Sequence, residues 1–320
     1  MKVLIVCRAN APDNQIFDLK LHHAFIYEQV TELEKAGVTF DYFYIKGKGA
    51  YGYLKSILQL RKRIKTENID LIHAHYGLSA LVATFQRKIP VVSTFHGCDV
   101  NRKWLNLISS YVAISSKANI FVSENLFNKI FIKTPKKNYM IPCGLDLDLF
   151  QPIDKLESRS VLKLSPEKKY VLFASAKDVP VKNYQLAKLA ADQIPDIELL
   201  EISGRSRKEV SLLMNACDVF LLTSFREGSP QTIKEAMACN CPIVSTDVGD
   251  MKSIISTTAG CFITSFDPAD VAKKLKMALD YSQTTGRTNG RDSIAELGFD
   301  LETISGKILA VYEKAVGRGL

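Results

Sequence analysis

Residues 223–238, Thr223-Ser224-Phe225-Arg226-Glu227-Gly228-Ser229-Pro230-Gln231-Thr232-Ile233-Lys234-Glu235-Ala236-Met237-Ala238, decide how the rest of this chain is read. An uncharged apolar run, 219–223, ends at the left margin of this stretch, and an apolar-periodic run begins at Ile233. A strand, a polar turn and a helix in that order make up half of a parallel α/β unit. Ser229 is a suitable N-cap and Pro230 a suitable first helical residue. The amides of the first helical turn, backed by the helix dipole, form a natural phosphate site. Glu227 stands just before the helix and Glu235 eight residues later, inside it. Either carboxylate can accept two hydroxyl hydrogen bonds, as the vicinal diol of a sugar or ribose would offer. Taken on spacing alone, a capping carboxylate and a solvated helix Glu fit equally well.

The same alternation extends in both directions. Short apolar runs at 3–7, 40–45, 71–74, 91–95, 120–123 and 139–141 read as strands, as do those at 170–175, 198–202, 219–223, 242–246 and 261–264. Continuous Val, Ile and Leu runs suit strands covered on both faces, and hence parallel sheets. Helix-length stretches lie between them, at 21–36, 54–67 and 233–238 among others. There is no internal repeat and no Gly/Ser linker. The most loop-like stretch, 151–166, carries Pro152, Ser158, Ser160 and Pro166 and marks a boundary between two domains.

The chain's 320 residues suffice for two domains that each bury a core. No segment approaches the ~18 apolar residues of a membrane span. The apolar opening 1–7 is too short for a leader and ends at Arg8, so it reads as a buried first strand. Seven cysteines are scattered from Cys7 to Cys261, and Cys239-Asn240-Cys241 is the one close pair. That pattern fits small apolar residues in a reducing cytoplasm better than a disulfide framework or a zinc site. The net charge of +8 lies entirely in residues 1–150, which hold 20 Lys and Arg against 12 Asp and Glu; the remainder holds 22 of each. A one-sided basic domain points to an anionic partner or to a merely solvated face. Nucleic acid is disfavoured, because no recognised module or stacking-aromatic signature accompanies the charge.

Ligands of open α/β sheets bind beyond the carboxyl ends of the strands. The first strand is followed by residues 8–15, including Asn10, with no glycine among them. A dinucleotide dehydrogenase needs glycine there, and a P-loop needs a GxxxxGK[ST] that is absent. The fourth strand is followed by His96-Gly97-Cys98-Asp99, where His96 and Asp99 could face a substrate. Residues 51–65 form a basic helix, and the only Trp, Trp104, follows Arg102 and Lys103. The apolar side of 54–64 is expected to pack on the sheet, while its Lys/Arg edge stays available to anionic lipid.

The stretch from Glu227 to Glu235 resembles the E-x7-E motif of the large retaining glycosyltransferase family 4, whose members have the GT-B fold. Four further segments resemble family motifs in the right order: Phe95-His96-Gly97-Cys98-Asp99, the 141–150 segment from Ile141 to Phe150, the Lys177-to-Asn183 stretch, and Ala216-Cys217-Asp218-Val219-Phe220. The resemblance covers roughly residues 90–265. It implies two Rossmann-like α/β/α domains facing each other across a cleft. These would be an acceptor-side domain at 1–150, a nucleotide-sugar-binding domain at 151–300, and a terminal helix at 301–320 crossing back to the first. It also implies a cytoplasmic enzyme, in peripheral contact with a membrane at most, with no metal and no cofactor beyond its nucleotide-sugar donor, UDP-linked in preference to GDP-linked. The acceptor would be a glycan or lipid-linked molecule.

By that resemblance Glu227 binds donor-sugar hydroxyls and Glu235 the ribose, with Gly228, Ser229, Gln231 and Thr232 lining the donor site. Lys177 and Lys182 neutralise the diphosphate as the leaving group gains charge. His96 stands near the reacting sugar, with Asp99 and Asn10 as acceptor-side candidates. Asp146-Leu147-Asp148 matches a DxD metal signature in letters but falls in a hinge segment. The chain departs from the family pattern in its glycine-free first loop, in Lys177 where Arg is usual, in Pro230, which has no N–H, and in a short 202–218 region. A nucleotide-sugar epimerase or hydrolase and a non-catalytic nucleotide-sugar-binding relative are the other readings.

Overall fold

Side chains along the first strand alternate between two cores: Val3, Ile5 and Cys7 turn to one, Leu4 and Val6 to the other. That alternation marks a strand buried on both faces. The computed structural model describes residues 1–9, 16–47, 49–134 and 137–318; Asn10 lies outside them. The chain forms two units, one of Met1–Gly144 with Leu301–Leu320 and one of Leu145–Asp300.

In the first unit, β1 (Lys2–Arg8), β2 (Thr39–Ile45), β3 (Leu71–His75), β4 (Val91–Phe95), β5 (Ala118–Phe121) and β6 (Asn138–Met140) form one sheet. Its order is β2-β1-β3-β4-β5-β6, and every pairing is parallel. Helices Ala24–Lys35 and Leu301–Val316 cover one face through Ile26, Val30, Ile304, Ile308 and Tyr312. Helices Gly49–Thr66, Gly77–Thr84 and Lys103–Ser115 cover the other through Leu60, Ala80 and Val112.

In the second unit, β7 (Lys169–Phe173), β8 (Ile197–Glu201), β9 (Val219–Leu222), β10 (Ile243–Thr246) and β11 (Cys261–Thr264) form a parallel sheet of order β11-β10-β9-β7-β8. Helices Tyr184–Ala191 and Pro268–Thr284 lie on one face. Helices Arg207–Ala216, Gln231–Ala238 and Met251–Ile255 lie on the other. Under this sheet the buried Asp218 carboxylate is held by Arg159 at 2.9 Å, Lys155 at 2.6 Å and the Tyr170 N–H at 2.7 Å.

Several sequence expectations need correction. The 21–36 helix is broken at His23 (φ −142°, ψ 56°), whose Nε2 is bonded to the Arg8 carbonyl at 3.0 Å. The 151–166 stretch contains the helix Lys155–Leu162. Asp154 caps it by accepting the Glu157 N–H, and Lys163 closes it in the left-handed conformation at φ 56°. The fifth strand begins at Ala118 rather than at 120, because the buried amide of Asn119 donates to Ala113 O and Asn138 Oδ1 and so belongs inside the sheet.

Candidate functional site

Polar groups gather beyond the carboxyl ends of the strands in each unit. In the second unit the turn after β9 is tied to the turn after β7. Thr223 Oγ1 donates to the Lys182 and Asn183 carbonyls, both at 3.0 Å, and the Phe225 N–H donates to Val181 O at 2.9 Å. Asn183 adopts the left-handed conformation (φ 54°), which closes the 3-10 turn Pro180–Lys182 and starts the next helix. Thr246 Oγ1 donates to Ser224 O at 2.8 Å and fixes the third loop. These bonds bring Lys182 to Glu227: its Nζ is 2.7 Å from Oε1, which also accepts from Ser224 Oγ at 2.6 Å. Gly249 lies behind this turn with φ +64°, and a Cβ there would be 2.8 Å from the Gly228 carbonyl. Only glycine fits both demands.

The helix after that turn begins at Gln231, with Pro230 as N-cap and no side-chain cap. Ser229 is therefore one residue outside the expected capping position. It stands instead beside the Asp250 carboxyl, whose pKa burial raises against the pull of Lys234. Gln231 and Thr232 are half-buried in the first turn. Glu235 is 2% exposed and hydrogen-bonded to Arg207 Nη1. The Arg207 guanidinium lies 4.7 Å from the centre of the Phe150 ring, a cation–π arrangement. Lys234 is fully buried, its Nζ 5.1 Å from the centre of the Phe299 ring.

The structure thus joins Lys182 to Glu227 directly and gives Glu235 a partner, Arg207, that sequence reasoning missed. One signal for it existed: Ser206-Arg207-Lys208-Glu209 is a capping-box pattern, and the structure forms that box. Lys177 is exposed and joins no ion pair among the described residues; its N–H donates to Glu201 at 3.0 Å. Asp146 Oδ1 accepts the N–H groups of Asp148 and Leu149, so the DxD letters form a turn.

In the first unit, His96 follows β4. Its Nε2 is 3.1 Å from His75 Nδ1 and its Nδ1 3.8 Å from Cys143 Sγ. Tyr76, at the unusual φ of 71°, lays its ring 4.6 Å from that of His96. The buried His75 Nε2 has no hydrogen-bond partner among the described residues. Deeper in, His73 bonds Thr94 Oγ1 at 2.7 Å and Tyr312 OH at 2.6 Å. Burial pushes the pKa of both His73 and His96 down to about 3 and lowers that of His75 strongly. The stack is neutral at physiological pH. His73 and His75, two apart on one strand, had to share a face, a signal the sequence carried.

Asp99 does not face an acceptor. It is 2% exposed, and its oxygens accept the N–H groups of Gly97 at 2.8 Å, Gly77 at 3.2 Å and His96 at 3.3 Å. The carboxylate fixes the loop that presents His96. Burial raises its pKa against these bonds.

Two parallel α/β units, each with polar groups beyond the carboxyl ends of its strands, suit the GT-B fold of glycosyltransferases. Comparison with known proteins agrees. Residues 22–149 match the family model Glycosyltransferase Family 4, and residues 167–280 match Glycosyl transferases group 1. The chain belongs to the family-4 type of glycosyltransferases.

Among curated relatives, it is 21% identical to D-inositol 3-phosphate glycosyltransferase of Mycobacterium marinum, covering 83% of this chain and 68% of that protein. It is 26% identical to MMP alpha-(1->4)-mannosyltransferase of Mycolicibacterium hassiacum, covering 72% and 60%. To the UDP-Gal:alpha-D-GlcNAc-diphosphoundecaprenol alpha-1,3-galactosyltransferase of Escherichia coli it is 24% identical, covering 68% of each. The chain therefore spans 60% to 68% of these relatives' lengths. Two solved structures share the fold. Sucrose-phosphate synthase from Thermosynechococcus elongatus has a TM-score of 0.84 at 18% identity, over 99% of both chains. Anabaena HepE in complex with UDP and glucose has a TM-score of 0.74 at 18% identity, over 98% of this chain and 100% of that one.

Proposed function

We propose that this chain is a retaining, metal-independent hexosyltransferase. It would move a sugar from a nucleoside-diphosphate donor, UDP-linked in preference to GDP-linked, to a glycan or lipid-linked acceptor in bacterial cell-surface polysaccharide synthesis. The observation that carries the reading is the Lys182–Glu227 pair at 2.7 Å. It sets a cation and a hydroxyl acceptor side by side, and a nucleotide sugar has its diphosphate and its sugar hydroxyls equally close. On donor binding the Lys182 ammonium takes over phosphate charge while Glu227 accepts from sugar hydroxyls. Glu235, oriented by Arg207, accepts from the ribose, and Lys177 adds a mobile second cation. Charge that develops on the departing diphosphate then meets cations already in place. His96, held neutral in its imidazole stack, stands near the reacting sugar and orients it. A UDP complex of one structural neighbour and a lipid-diphosphate acceptor in the name of one relative support the donor and acceptor classes.

The test is thermal shift and isothermal calorimetry with UDP, GDP, ADP, TDP and CMP, with and without EDTA, on the parent chain and on Glu235→Ala. One nucleoside diphosphate should stabilise the parent by about 2.7 kcal/mol at ~100 times its dissociation constant, regardless of EDTA, and the variant far less. No response to any of them sinks the donor assignment. Release of nucleotide from the sugar donor at equal rates with and without acceptor would mark a hydrolase instead.

A further inference from the structure

The helix Lys103–Ser115 buries Leu105, Ser109 and Val112 but leaves Trp104, Leu107, Tyr111 and Ile114 outside, with Trp104 57% and Leu107 63% exposed. Those four positions recur at helical period, so they form one stripe. The helix Gly49–Thr66 does the same: Leu60 enters the core, while Tyr51, Leu54 and Leu58 face out, Leu58 at 68%. Both helices flank Gly77–Thr84 on one face of the sheet. Phe85, Phe131 and Ile132 are exposed in the loops beside them. Exposed apolar side chains gathered in two stripes on one face of the sheet mark an interaction surface.

The surface is also basic. At the amino-terminal edge of the sheet, two adjoining pockets of ≈ 390 and ≈ 540 Å³ share Arg87, Lys88 and Tyr111. Arg61, Lys65, Lys117 and Lys137 complete their cationic lining, which contains no carboxylate. The walls are set in advance. Gln86 clamps its loop by donating to Ile89 O at 2.9 Å and accepting the N–H groups of Lys88 and Ile89 at 3.0 and 2.9 Å. Arg61 Nε donates to Phe85 O at 3.2 Å, and Lys137 Nζ to Ser116 O at 3.3 Å. From residue 42 to 123 the only acids are Glu67, Asp70 and Asp99. Glu67 is held by Arg63, Asp70 accepts the Lys2 N–H, and Asp99 is turned inward.

We propose that this face docks on an anionic lipid bilayer, the apolar stripes entering the headgroup layer and the pockets seating lipid phosphates. Charge complementarity and the mixed surface select that occupant. A nucleic acid would engage the cations but leave Leu54, Leu58, Leu107 and Ile114 in water. A protein interface is depleted in lysine. Only a bilayer surface offers hydrocarbon and phosphate together across so wide a face. The pockets lie at the strand edge opposite His96, while the stripes run from there toward the other edge. The proposal deepens the lipid-linked-acceptor reading and rests on it for its biological sense. Its test involves no turnover, so the two can fail separately.

Trp104 is the only Trp in the chain and stands in the stripe, so its fluorescence reports this face alone. The full chain is mixed with vesicles of phosphatidylcholine, or of phosphatidylcholine with phosphatidylglycerol, and followed by Trp emission and flotation. A blue shift and flotation are expected with the anionic vesicles only, weakened by salt. The double variant Arg87→Glu, Lys88→Glu should lose roughly tenfold or more in vesicle affinity. Leu107→Ser with Ile114→Ser should abolish the blue shift, and Leu189→Ser in the second unit should change nothing. Far-UV dichroism melts confirm that each variant is folded. Absence of flotation with anionic vesicles overturns the proposal, as does flotation undiminished in the double variant. So does a Trp shift given by RNA or inositol hexakisphosphate but not by vesicles.

Discussion

The two units furnish the carboxyl ends of their strands in opposite ways. All five histidines belong to the first unit; three of them, the buried His73 and His75 on β3 and the half-buried His96 just beyond β4, are held without charge. The second unit has no histidine and uses paired charges, Lys182 with Glu227 and Arg207 with Glu235. A neutral stack offers shape without charge, which suits a sugar and repels little. Paired charges offer a fixed field, which suits a diphosphate and holds both partners ready at the cost of desolvation. In this chain the imidazole stack belongs to the first unit and the paired Lys–Glu and Arg–Glu charges to the second.

The sharpest way to break that contrast is to unpair a buried charge in the second unit. Asp218→Ala strands the Arg159 guanidinium, 4% exposed, and should cost about 3–5 kcal/mol, read as a lowered urea midpoint. A loss below about 1 kcal/mol would mean that the charge network contributes little. Next in size is Lys182→Ala. Removing one group that stabilises transition-state charge costs about 10²–10³ in kcat, measured by release of nucleoside diphosphate. An unchanged kcat would take Lys182 out of the reaction. Glu235→Gln should follow, weakening nucleoside diphosphate binding by about 1.5–3 kcal/mol as a charged hydrogen bond to Arg207 is lost; calorimetry decides it, and equal affinity would separate Glu235 from the ribose.

Acid sharpens the contrast from the other side. The imidazoles of His73 and His96 are pushed from 6.5 down to about 3. Below pH 6.5 the unfolded chain takes up protons that the folded chain refuses. Stability from these groups is therefore whole above pH 6.5 and drains away as pH falls toward 3, by up to about 1.4 kcal/mol per pH unit for each. Unfolding followed by Trp104, which lies in the first unit, should move to lower urea between pH 7 and pH 5. The second unit, with no histidine, should move less when followed by hydrogen exchange of β9 and β10. Equal shifts in both would refute the division.

Much of the fold was legible because parallel strands are apolar throughout. Cys261–Thr264 and Val91–Phe95 begin and end as their composition predicts. The misplaced start at Ala118 and the overlooked helix Lys155–Leu162 share a cause. Asn119 and Arg159 are polar residues buried by tertiary partners, Asn138 and Asp218, that are distant in sequence. The Glu227–Glu235 spacing was visible because it is local. Arg207 and His75 were not chosen, because what makes them matter is a partner on another element, Glu235 on a neighbouring helix and His96 beyond a neighbouring strand, and no single segment contains both halves of such a pair.

The helix Leu301–Val316 has a consequence for the order of events during synthesis. It covers one face of the first unit's sheet with Ile304, Ile308, Val311 and Tyr312, and Tyr312 supplies the hydroxyl that partners His73. A ribosome delivers these residues only after the whole second unit has emerged. The first unit's strands must therefore wait, partly uncovered, while a later segment of the same chain folds ahead of them. The nascent chain is most open to chaperones and to misassociation at its earliest-made part.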